Sequence, residues 1–234
     1  MKIALLGYGR MGKAIEKFAV DRAHEIVYIK DKEEVRGNLS QANIAINFSV
    51  PKAAVENIKT ALKKQIPVVC GTTGWLEHYN DIVTFCEIQK SGFLYASNFS
   101  IGVNLFFKMN AIAAKLMKPH QKNYHPSLEE IHHTHKLDTP SGTALSLAET
   151  VLGESDLTEW ELKGNSKNKL NIKSTRQGEV PGIHSIKYTS SIDEISLKHE
   201  AFSRDGFALG AIIASEWLVG KQGVFSMNDV LNIS

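Results

Sequence analysis

The sequence contains few cysteines, no excess charge of one sign and no long uninterrupted apolar run. Only two of its 234 residues are cysteine, Cys70 and Cys86, and no Cys-x-x-Cys spacing occurs. Both cysteines lie in apolar segments, so we expect reduced core residues rather than a disulfide. The formal net charge is only +2, which indicates no nucleic-acid partner.

Two further absences concern membranes and export. The longest apolar run near the C-terminus, FALGAIIASEWLVG, is interrupted by Glu216 and is too short to span a bilayer. The N-terminal run MKIALLG is too short for a signal peptide, because a glycine-rich loop interrupts it. We therefore expect a cytoplasmic protein with no membrane partner. The chain shows no internal repeat or low-complexity segment, and its composition is that of an ordinary globular protein.

The first hundred residues alternate the patterns of strands and helices. Five short apolar segments have the composition of strands: KIALLG, EIVYI, NIAINF, IPVVC and FLYAS. Three segments between them have helical spacing: RMGKAIEKFAV, KAAVENIKTALKK and LEHYNDIVTFCEIQK. This alternation predicts a parallel sheet with right-handed crossovers. The segment DKEEVRGNLSQA is so short that we expect only a loop or one turn of helix between the second and third strands.

The pattern changes after Asn98. Helical spacing occurs in NLFFKMNAIAAKLM, GTALSLAETVLG and FALGAIIASEWLVG. Strand-like segments are SLEEIHHTH, KLNIKSTR, IHSIKYTS and DEISLKHEA, and GVFSMNDVL is expected to be a short tail. The sequence therefore predicts an α/β chain of two domains. A parallel-sheet domain comprises residues 1–98 and 207–234, and an α+β domain with an open mixed sheet comprises residues 99–206.

A strand, then Gly-x-Gly-x-x-Gly, then a helix is the arrangement of a Rossmann-like dinucleotide-binding domain. The glycines let the backbone approach a pyrophosphate, whose negative charge faces the helix N-terminus. We expect the loop GYGRMG to bind the cofactor through Gly7, Tyr8, Gly9, Arg10, Met11 and Gly12. Asp31 ends the second predicted strand, where a carboxylate can accept hydrogen bonds from the ribose hydroxyls. The alternative is that the glycines form only a tight turn.

Two more loops follow strands of the same predicted sheet. CGTTGW follows the fourth strand and ASNFS the fifth, at the carboxyl ends where open α/β sheets bind ligands. Such loops taken alone are more often plain turns, but together with the first motif they line one edge of one sheet. We therefore assign to the cofactor site Gly71, Thr72, Thr73, Ala96, Ser97, Asn98 and Phe99.

The stretch EIHHTHKLDTPSGTAL gathers three histidines and a lysine just before a helix. As zinc ligands, the adjacent His132 and His133 would point to opposite faces of a strand, and no second motif completes a site, so we expect no metal. As an anion site, Lys136 supplies a full charge and PSGT presents hydroxyl and N–H groups at a helix start. Histidines also transfer protons near neutral pH. The stretch predicts a carboxylate-binding loop beside a proton donor, with Asp138 orienting the turn.

EIHHTHKLDTPSGTA resembles the His-His-x-x-Lys-x-Asp-x-Pro-Ser-Gly-Thr-Ala signature of the 4-hydroxy-tetrahydrodipicolinate reductase (dihydrodipicolinate reductase) family. Other segments also resemble that family: GYGRMG its cofactor loop, GTTG its nicotinamide-side loop, ASNFSIGVN its interdomain hinge, and RQGEVPGIHSI and HEAFSR its C-terminal domain. The resemblance covers nearly the whole chain. Two departures are a cofactor loop one residue shorter than in many members and the short connection after the second strand.

The resemblance implies NADH- or NADPH-dependent reduction of 4-hydroxy-tetrahydrodipicolinate in diaminopimelate and lysine biosynthesis. His132 would donate the proton, and Lys136 would also be required for catalysis. The small dicarboxylate substrate would be held by His133, Ser141, Gly142 and Thr143. The family also implies a homotetramer formed through the sheet of the second domain. Two rival readings are an NAD-binding regulator without turnover and another small-molecule dehydrogenase, which would leave the Pro-Ser-Gly-Thr loop unexplained.

The residues near Asp31 bear on which cofactor is used. A carboxylate there would bond the 2′-hydroxyl of NADH and repel the 2′-phosphate of NADPH. Lys30 and Lys32 flank Asp31, and either could attract that phosphate. We therefore expect use of both cofactors, with a mild preference for NADH.

Overall fold

The computed structural model describes residues 1–32, 34–164 and 166–233. The chain forms two compact units: unit 1 comprises Met1–Asn104 and Asp205–Ser234, and unit 2 comprises Leu105–Arg204. The strands are β1 (Lys2–Leu6), β2 (Glu25–Asp31), β3 (Glu34–Gly37), β4 (Ile44–Asn47), β5 (Val68–Cys70), β6 (Gly92–Tyr95), β7 (His125–His132), β8 (Glu159–Leu162), β9 (Lys169–Arg176), β10 (Gly182–Thr189), β11 (Glu194–Ala201) and β12 (Gly223–Phe225). The helices are α1 (Arg10–Asp21), α2 (Pro51–Leu62), α3 (Tyr79–Gln89), α4 (Ile101–Met117), α5 (Gly142–Gly153), α6 (Asp205–Leu218) and α7 (Met227–Leu231).

Unit 1 is built on a seven-stranded sheet in the order β12-β6-β5-β4-β1-β2-β3. All neighbouring strands are parallel except β3, which runs antiparallel to β2. Every residue of β4 and of β5 is buried. Burial on both faces explains why these strands are continuous apolar runs in the sequence. The predicted α/β class and the parallel sheet are confirmed.

The last long helix, α6, belongs to unit 1. It packs against α1 and against three strands of the sheet. A Cβ added at Gly210 would lie 1.8 Å from the carbonyl oxygen of Phe99, so only glycine permits this approach of helix and loop. The carboxylate of Glu216, in α6, accepts two hydrogen bonds from the guanidinium of Arg22, just after α1, at 2.8 and 2.7 Å. These contacts tie the end of the chain to its beginning.

The differences from the predicted elements lie at sheet edges. The connection after β2 was expected to be a loop or one helical turn, but it contains strand β3 followed by one 3₁₀ turn at Leu39–Gln41. The expected tail contributes β12 and α7, and β8 was not predicted. All residues of β3 are exposed. An edge strand needs only backbone pairing, so it shows no apolar pattern.

Unit 2 contains a mixed five-stranded sheet in the order β11-β10-β7-β9-β8, as the sequence predicted. Strands β11, β10 and β7 pair antiparallel, whereas β7, β9 and β8 pair parallel. Apolar residues of the central strands, such as Leu128 and Ile186, pack against Leu147 and Val151 of α5. This packing fixes the position of the N-terminus of α5 relative to the end of β7.

Cys70 and Cys86 are buried free thiols, as predicted, and burial raises the pKa of each to about 11. Thiols with so high a pKa are poor nucleophiles at neutral pH.

Within the described ranges, no helix is long and apolar enough to cross a membrane.

Candidate active site

Polar side chains from three strands of unit 2 meet at the end of β7. Glu130 and His132 are two residues apart, so they lie on the same face of the strand, and both are buried. The sheet register places Glu130 opposite His184 of β10 and Ser174 of β9, and His132 opposite Arg176. Cross-strand partners share a face of the sheet. A carboxylate, two imidazoles and a guanidinium therefore lie together.

Glu130 is fully buried, and its carboxylate has several donors. Ser174 Oγ donates to it at 2.6 Å and the backbone N–H of Ser141 at 3.1 Å, while Arg176 Nη2 lies 3.4 Å away. Burial alone would raise the pKa of this carboxyl. The close contact with His132 and the hydrogen bonds from Ser141 and Ser174 outweigh burial and hold the pKa well below its usual range. Glu130 is therefore ionised at neutral pH.

His132 presents its two ring nitrogens to different surroundings. Its Nδ1 lies 3.3 Å from Glu130 Oε2, which is ion-pair distance. The contact does not have the geometry of a hydrogen bond, so Nδ1 has no hydrogen-bond partner among the described residues. On the other side, a Cβ added at Gly182 would lie 3.2 Å from Nε2. The glycine thus leaves the Nε2 side of the ring uncrowded.

His184 packs edge-on against His132, with the ring centroids 4.9 Å apart. Its Nε2 lies 3.2 Å from Ser141 Oγ. Burial, and secondly the charge of His132, lower the pKa of His184 to about 3. His184 is therefore neutral across the physiological range and acts as a hydrogen-bonding partner.

Arg176 connects this cluster to the loop that precedes α5. Its Nη2 donates to the carbonyl of Asp138 at 2.5 Å and to Thr139 Oγ1 at 2.9 Å. The Asp138 carboxylate in turn pairs with Lys136 Nζ at 2.7 Å. Burial acts against ionisation of Asp138, but the Lys136 ammonium lowers its pKa overall. Asp138 therefore holds the Lys136 ammonium, and its role in orienting the turn stays a prediction.

The Ser-Gly-Thr segment forms the start of α5. Ser141 is the N-cap: its hydroxyl accepts a hydrogen bond from the N–H of Ala144 at 3.2 Å. Gly142 is exposed and Thr143 half-buried. Their N–H groups belong to the first helical turn, where an α-helix provides no carbonyl partner. Together with the helix dipole, these groups favour an anion at this position.

The remaining histidines of the motif lie apart from His132. His133 Nε2 accepts a hydrogen bond from Arg204 Nη2 at 2.9 Å. Partial burial and the Arg204 guanidinium lower the pKa of His133. The side chain of His135 is 79% exposed and lies 3.5 Å from Glu179. The motif thus separates into a buried imidazole, a half-buried one beside an arginine and an exposed one.

Glu130, His132 and His184 offer three ligand atoms within 4.8 Å of one another, the spacing that a metal ion needs. The hydrogen-bond donors already around the Glu130 carboxylate disfavour a metal ion at this position. The carboxylate accepts from Ser174 and Ser141, and the Arg176 guanidinium would repel a second cation beside it. The expectation of no metal stays a prediction.

In unit 1, the predicted cofactor residues lie at the carboxyl ends of β1, β2, β5 and β6, which are parallel strands of one sheet. Gly7 has φ +99°, and an added Cβ would lie 2.2 Å from the carbonyl oxygen of Phe48. A Cβ at Gly12 would lie 2.4 Å from the carbonyl oxygen of Gly7. These two glycines allow strand, loop and helix to pack closely. A Cβ at Gly9 would meet no atom within 4 Å, so Gly9 leaves open space in front of the helix.

That open space suits the pyrophosphate and adenosine ribose of a dinucleotide. The residues that line a cavity of about 370 Å³ include Gly7, Gly9, Lys30, Asp31 and Lys32. No side chain caps the N-terminus of α1, and its first turn contains no acidic residue. Unused N–H groups at a helix start suit a pyrophosphate, and a carboxylate at the end of β2 suits a ribose.

The other residues of the cofactor loop begin α1. Arg10 is exposed, and Met11 is half-buried against the core of unit 1. Tyr8 donates a short hydrogen bond from its hydroxyl to Glu16, and the guanidinium carbon of Arg36 lies 5.4 Å from the Tyr8 ring centre. Arg36 was not singled out in the sequence because strand β3, which carries it, was not recognised.

The loops after β5 and β6 are partly occupied by internal bonds. Thr72 Oγ1 accepts from the backbone N–H of Ser49 at 2.9 Å, and the buried Phe99 ring packs 5.6 Å from that of Phe48. Asn98 Oδ1 accepts from a backbone N–H at 2.9 Å. Four more predicted residues remain at least partly accessible at this edge: Gly71, Thr73, Ala96 and Ser97. Contacts of these seven residues with a cofactor stay a prediction.

Comparison with known proteins agrees with both halves of this geometry. Residues 1–99 match the family model "Dihydrodipicolinate reductase, N-terminus", and residues 102–231 match "Dihydrodipicolinate reductase, C-terminus". A 4-hydroxy-tetrahydrodipicolinate reductase from Christiangramia forsetii is 48% identical, with 99% of this chain and 98% of the relative covered. A protein of the same name from Archaeoglobus fulgidus is 33% identical, with 99% of this chain and 100% of the relative covered.

A solved structure shares the fold. It is described as dipicolinate-bound dihydrodipicolinate reductase from Paenisporosarcina sp. TG-14, and it matches with a TM-score of 0.81 at 20% identity, covering 97% of each chain. The two family models together span almost the entire sequence. The chain therefore belongs to the dihydrodipicolinate reductase family, whose members use NADH or NADPH.

Proposed function

We propose that this protein reduces 4-hydroxy-tetrahydrodipicolinate to tetrahydrodipicolinate with NADH or NADPH, in diaminopimelate and lysine biosynthesis. The observation that carries the proposal is the buried His132–Glu130 pair beside the open first turn of α5. A proton donor next to free helix N–H groups suits the reduction of an unsaturated ring that bears carboxylates. The 48% identity to a relative with this reductase name supports the same reaction.

The two proposed catalytic residues act on the substrate ring. The cofactor would be held by the loops after β1, β5 and β6, and it would supply a hydride to one carbon of the conjugated imine that remains after the substrate loses water. His132 delivers a proton from Nε2 to the neighbouring carbon. The Lys136 ammonium, held in place by Asp138, stabilises the negative charge that develops on the ring and its carboxylate.

We assign the substrate carboxylates to the start of α5 and its surroundings. The residues proposed to hold them are His133, Ser141, Gly142 and Thr143. The N–H groups of the first helical turn are the natural donors. The Ser141 hydroxyl caps α5 and so holds this turn in place. Arg204, which the sequence motif does not include, adds a cation beside His133.

A coupled assay tests the reaction directly. The preceding synthase condenses pyruvate with aspartate semialdehyde, and the oxidation of NADH and of NADPH is followed in separate reactions. We expect oxidation with both cofactors. With folded protein, no oxidation above the control without substrate would reject the proposal. A regulator that binds NADH without turnover would give that negative result together with measurable NADH binding.

We expect 2,6-pyridinedicarboxylate (dipicolinate) to inhibit in competition with the substrate. It is a planar dicarboxylate, and the relative from Paenisporosarcina sp. TG-14 is described as bound to it. Thr143→Val and Ser141→Ala should each weaken inhibition by about 1–3 kcal/mol, because charge-assisted hydrogen bonds are lost. The inhibition constant is measured from initial rates.

A residue of the same helix provides the control for this prediction. Thr150 lies further along α5, where its hydroxyl bonds the carbonyl of Ser146. Thr150→Val should leave inhibition at the wild-type level. Ser141→Ala also removes the helix cap, which contributes about 1 kcal/mol, so thermal unfolding is recorded for each variant. Wild-type inhibition in both Thr143→Val and Ser141→Ala would place the carboxylate site elsewhere.

We assign cofactor binding to the carboxyl edge of the sheet in unit 1. The loop after β1 and the end of β2 would hold the pyrophosphate and the adenosine ribose through Gly7, Tyr8, Gly9, Arg10, Met11, Gly12 and Asp31. The loops after β5 and β6 would face the nicotinamide through Gly71, Thr72, Thr73, Ala96, Ser97, Asn98 and Phe99. The cavity that reaches from Gly9 to Asp31 supports the first assignment.

Asp31→Ala should shift the ratio of kcat/KM toward NADPH, and Lys32→Ala should shift it toward NADH. Lys32 has φ +46°, so it lies in the turn after β2 and borders the same cavity as Asp31. Exposed charges at this separation are each worth only ~1 kcal/mol. We therefore expect shifts of about fivefold, with the Lys32 effect shrinking at high salt.

Wild-type kinetics with each cofactor complete that test. The expected result is a mild preference for NADH. Lys30 forms an ion pair with Glu56 at 3.4 Å, so its charge is partly neutralised. A wild-type preference for NADPH of about a hundredfold or more is equivalent to ~2.8 kcal/mol. It would show that Lys30 and Lys32, rather than Asp31, determine which ribose 2′ group is bound.

We further propose that unit 1 binds the cofactor and that unit 2 binds the substrate and forms a homotetramer, in the cytoplasm. Exposed apolar side chains on and beside the edge strand β11 support self-association. Ile192, Ile195 and Phe202 are 91%, 45% and 90% exposed. Light scattering tests the assembly: a tetramer has four times the 25.9 kDa of one chain.

A further inference from the structure

The buried Glu130 carboxylate transfers neither a proton nor a hydride in the proposed reaction, but it lies beside the proposed proton donor. It precedes His132 by two residues on β7 and shares its face of the sheet. Its Oε2 lies 3.3 Å from His132 Nδ1. Both side chains are buried, so this charge is not screened by bulk water.

We infer that Glu130 is a positioning residue that holds a hydrogen on Nδ1 of His132, so that Nε2 carries the proton given to the substrate; the inference rests on the function proposed above. A carboxylate without a proton can only accept hydrogen bonds. The ring nitrogen that faces it must therefore carry hydrogen, which sets the tautomer. A small ring rotation would close the 3.3 Å contact into a hydrogen bond, as catalytic contacts often tighten with substrate bound.

The groups that face His132 make the Glu130 charge important. His184 on β10 is neutral, because burial lowers its pKa to about 3. Arg176 on β9, opposite His132 in the sheet register, is a cation, and so is Lys136 in the loop before α5. A protonated His132 would be repelled by these cations. Glu130 opposes this repulsion, because its carboxylate lies within ion-pair distance of both His132 and Arg176, whereas the Asp138 carboxylate pairs with Lys136.

Glu130 also fixes where the proton donor lies relative to the substrate loop. Its two carboxylate oxygens lie 3.1 and 3.2 Å from the backbone nitrogen of Ser141. Ser141 is the N-cap of α5, whose first turn is the proposed carboxylate site. One buried side chain therefore contacts both His132 and the anchor of this turn.

Glu130→Gln tests the role of the charge with little change in shape. Glutamine can either donate or accept, so it no longer selects one tautomer of His132. We expect kcat/KM to fall about 10- to 100-fold at pH 8 and less at pH 6, where protonation of His132 is easier. The dissociation constant for NADH should not change, since the proposed cofactor residues belong to unit 1.

Glu129→Gln is the matched control. Glu129 is the adjacent residue of β7, so it faces the other side of the sheet, where it pairs with Lys173 at 2.8 Å. Removing this charge should leave the pH profile of kcat/KM unchanged. A purely structural role of Glu130 would lower activity by the same factor at every pH. That outcome, or a wild-type profile in Glu130→Gln, would overturn the inference.

Nitrogen-15 NMR of the histidine rings tests the tautomer without turnover. The His132 signals are assigned as those missing from His132→Gln. In the wild-type protein, Nδ1 of His132 should carry hydrogen at every pH from about 6 to 9. Hydrogen on Nε2 alone at high pH would overturn the inference even if Glu130→Gln does not fold. If the wild-type protein shows no turnover, the proposed function fails but this measurement still decides the role of Glu130.

Discussion

Replacing His132 with glutamine is expected to lower kcat about 10²–10⁴-fold, which is the usual contribution of a positioned general acid. Glutamine is similar in size to histidine but has no proton to give at neutral pH. The NADH dissociation constant should stay at the wild-type value, because the proposed cofactor residues lie in unit 1. Steady-state kinetics and NADH fluorescence titration measure the two quantities.

His135→Gln is the control for this prediction, since the His135 side chain is 79% exposed and lies in the same motif. It should retain wild-type kcat. If His132→Gln kept near-normal turnover, the proton-donor role would pass to Lys136, the next candidate. In the proposed mechanism, Lys136→Ala should instead harm both kcat and KM, because it removes a charge that faces the dicarboxylate.

Alanine at Gly9 should weaken cofactor binding without destabilising the fold, whereas alanine at Gly12 should mainly destabilise the fold. Gly9 has φ −74°, and an added Cβ meets no atom within 4 Å, so Gly9→Ala should fold normally. The new methyl group would occupy the space in front of α1 proposed for the pyrophosphate. We expect NADH binding to weaken about tenfold or more, equivalent to ~1.4 kcal/mol.

Gly12→Ala should mainly destabilise the fold. Its Cβ would lie 2.4 Å from the carbonyl oxygen of Gly7, so α1 would have to move away from β1. Overpacking of this kind typically costs about 1–3 kcal/mol. Thermal unfolding and NADH titration of both variants separate the two effects. Wild-type NADH affinity in Gly9→Ala would show that the pyrophosphate does not lie at this helix start.

The sequence alone was sufficient for the central elements of both sheets. Strands β4 and β5 are buried on both faces, so they are recognisable as continuous apolar runs. The bounds of α5 agree with its predicted helical segment, because a serine cap and a periodic apolar face mark a helix locally. Strands and helices that bury an apolar face or carry a capping residue could thus be predicted from their own segment of sequence.

Edge strands could not be predicted in this way. Strand β3 is exposed along its whole length, and β12 consists of only three residues. Their positions depend on free backbone groups of β2 and β6 rather than on an apolar pattern. As a result, Arg36 beside Tyr8 was not recognised as a neighbour of the cofactor loop.

In the candidate site, too, some neighbours could be predicted from the sequence and others depend on the pairing of strands. The sequence by itself determined that His132, Lys136 and the capped turn at Ser141 are close together, because they are neighbours in one short motif. Only the tertiary structure decided that Glu130 meets His184 and Arg176. These residues come from β7, β10 and β9, and their pairing depends on sheet register, in which a shift by one residue would turn each side chain to the other face. Register is set by packing of the whole sheet against α5, which no local segment encodes.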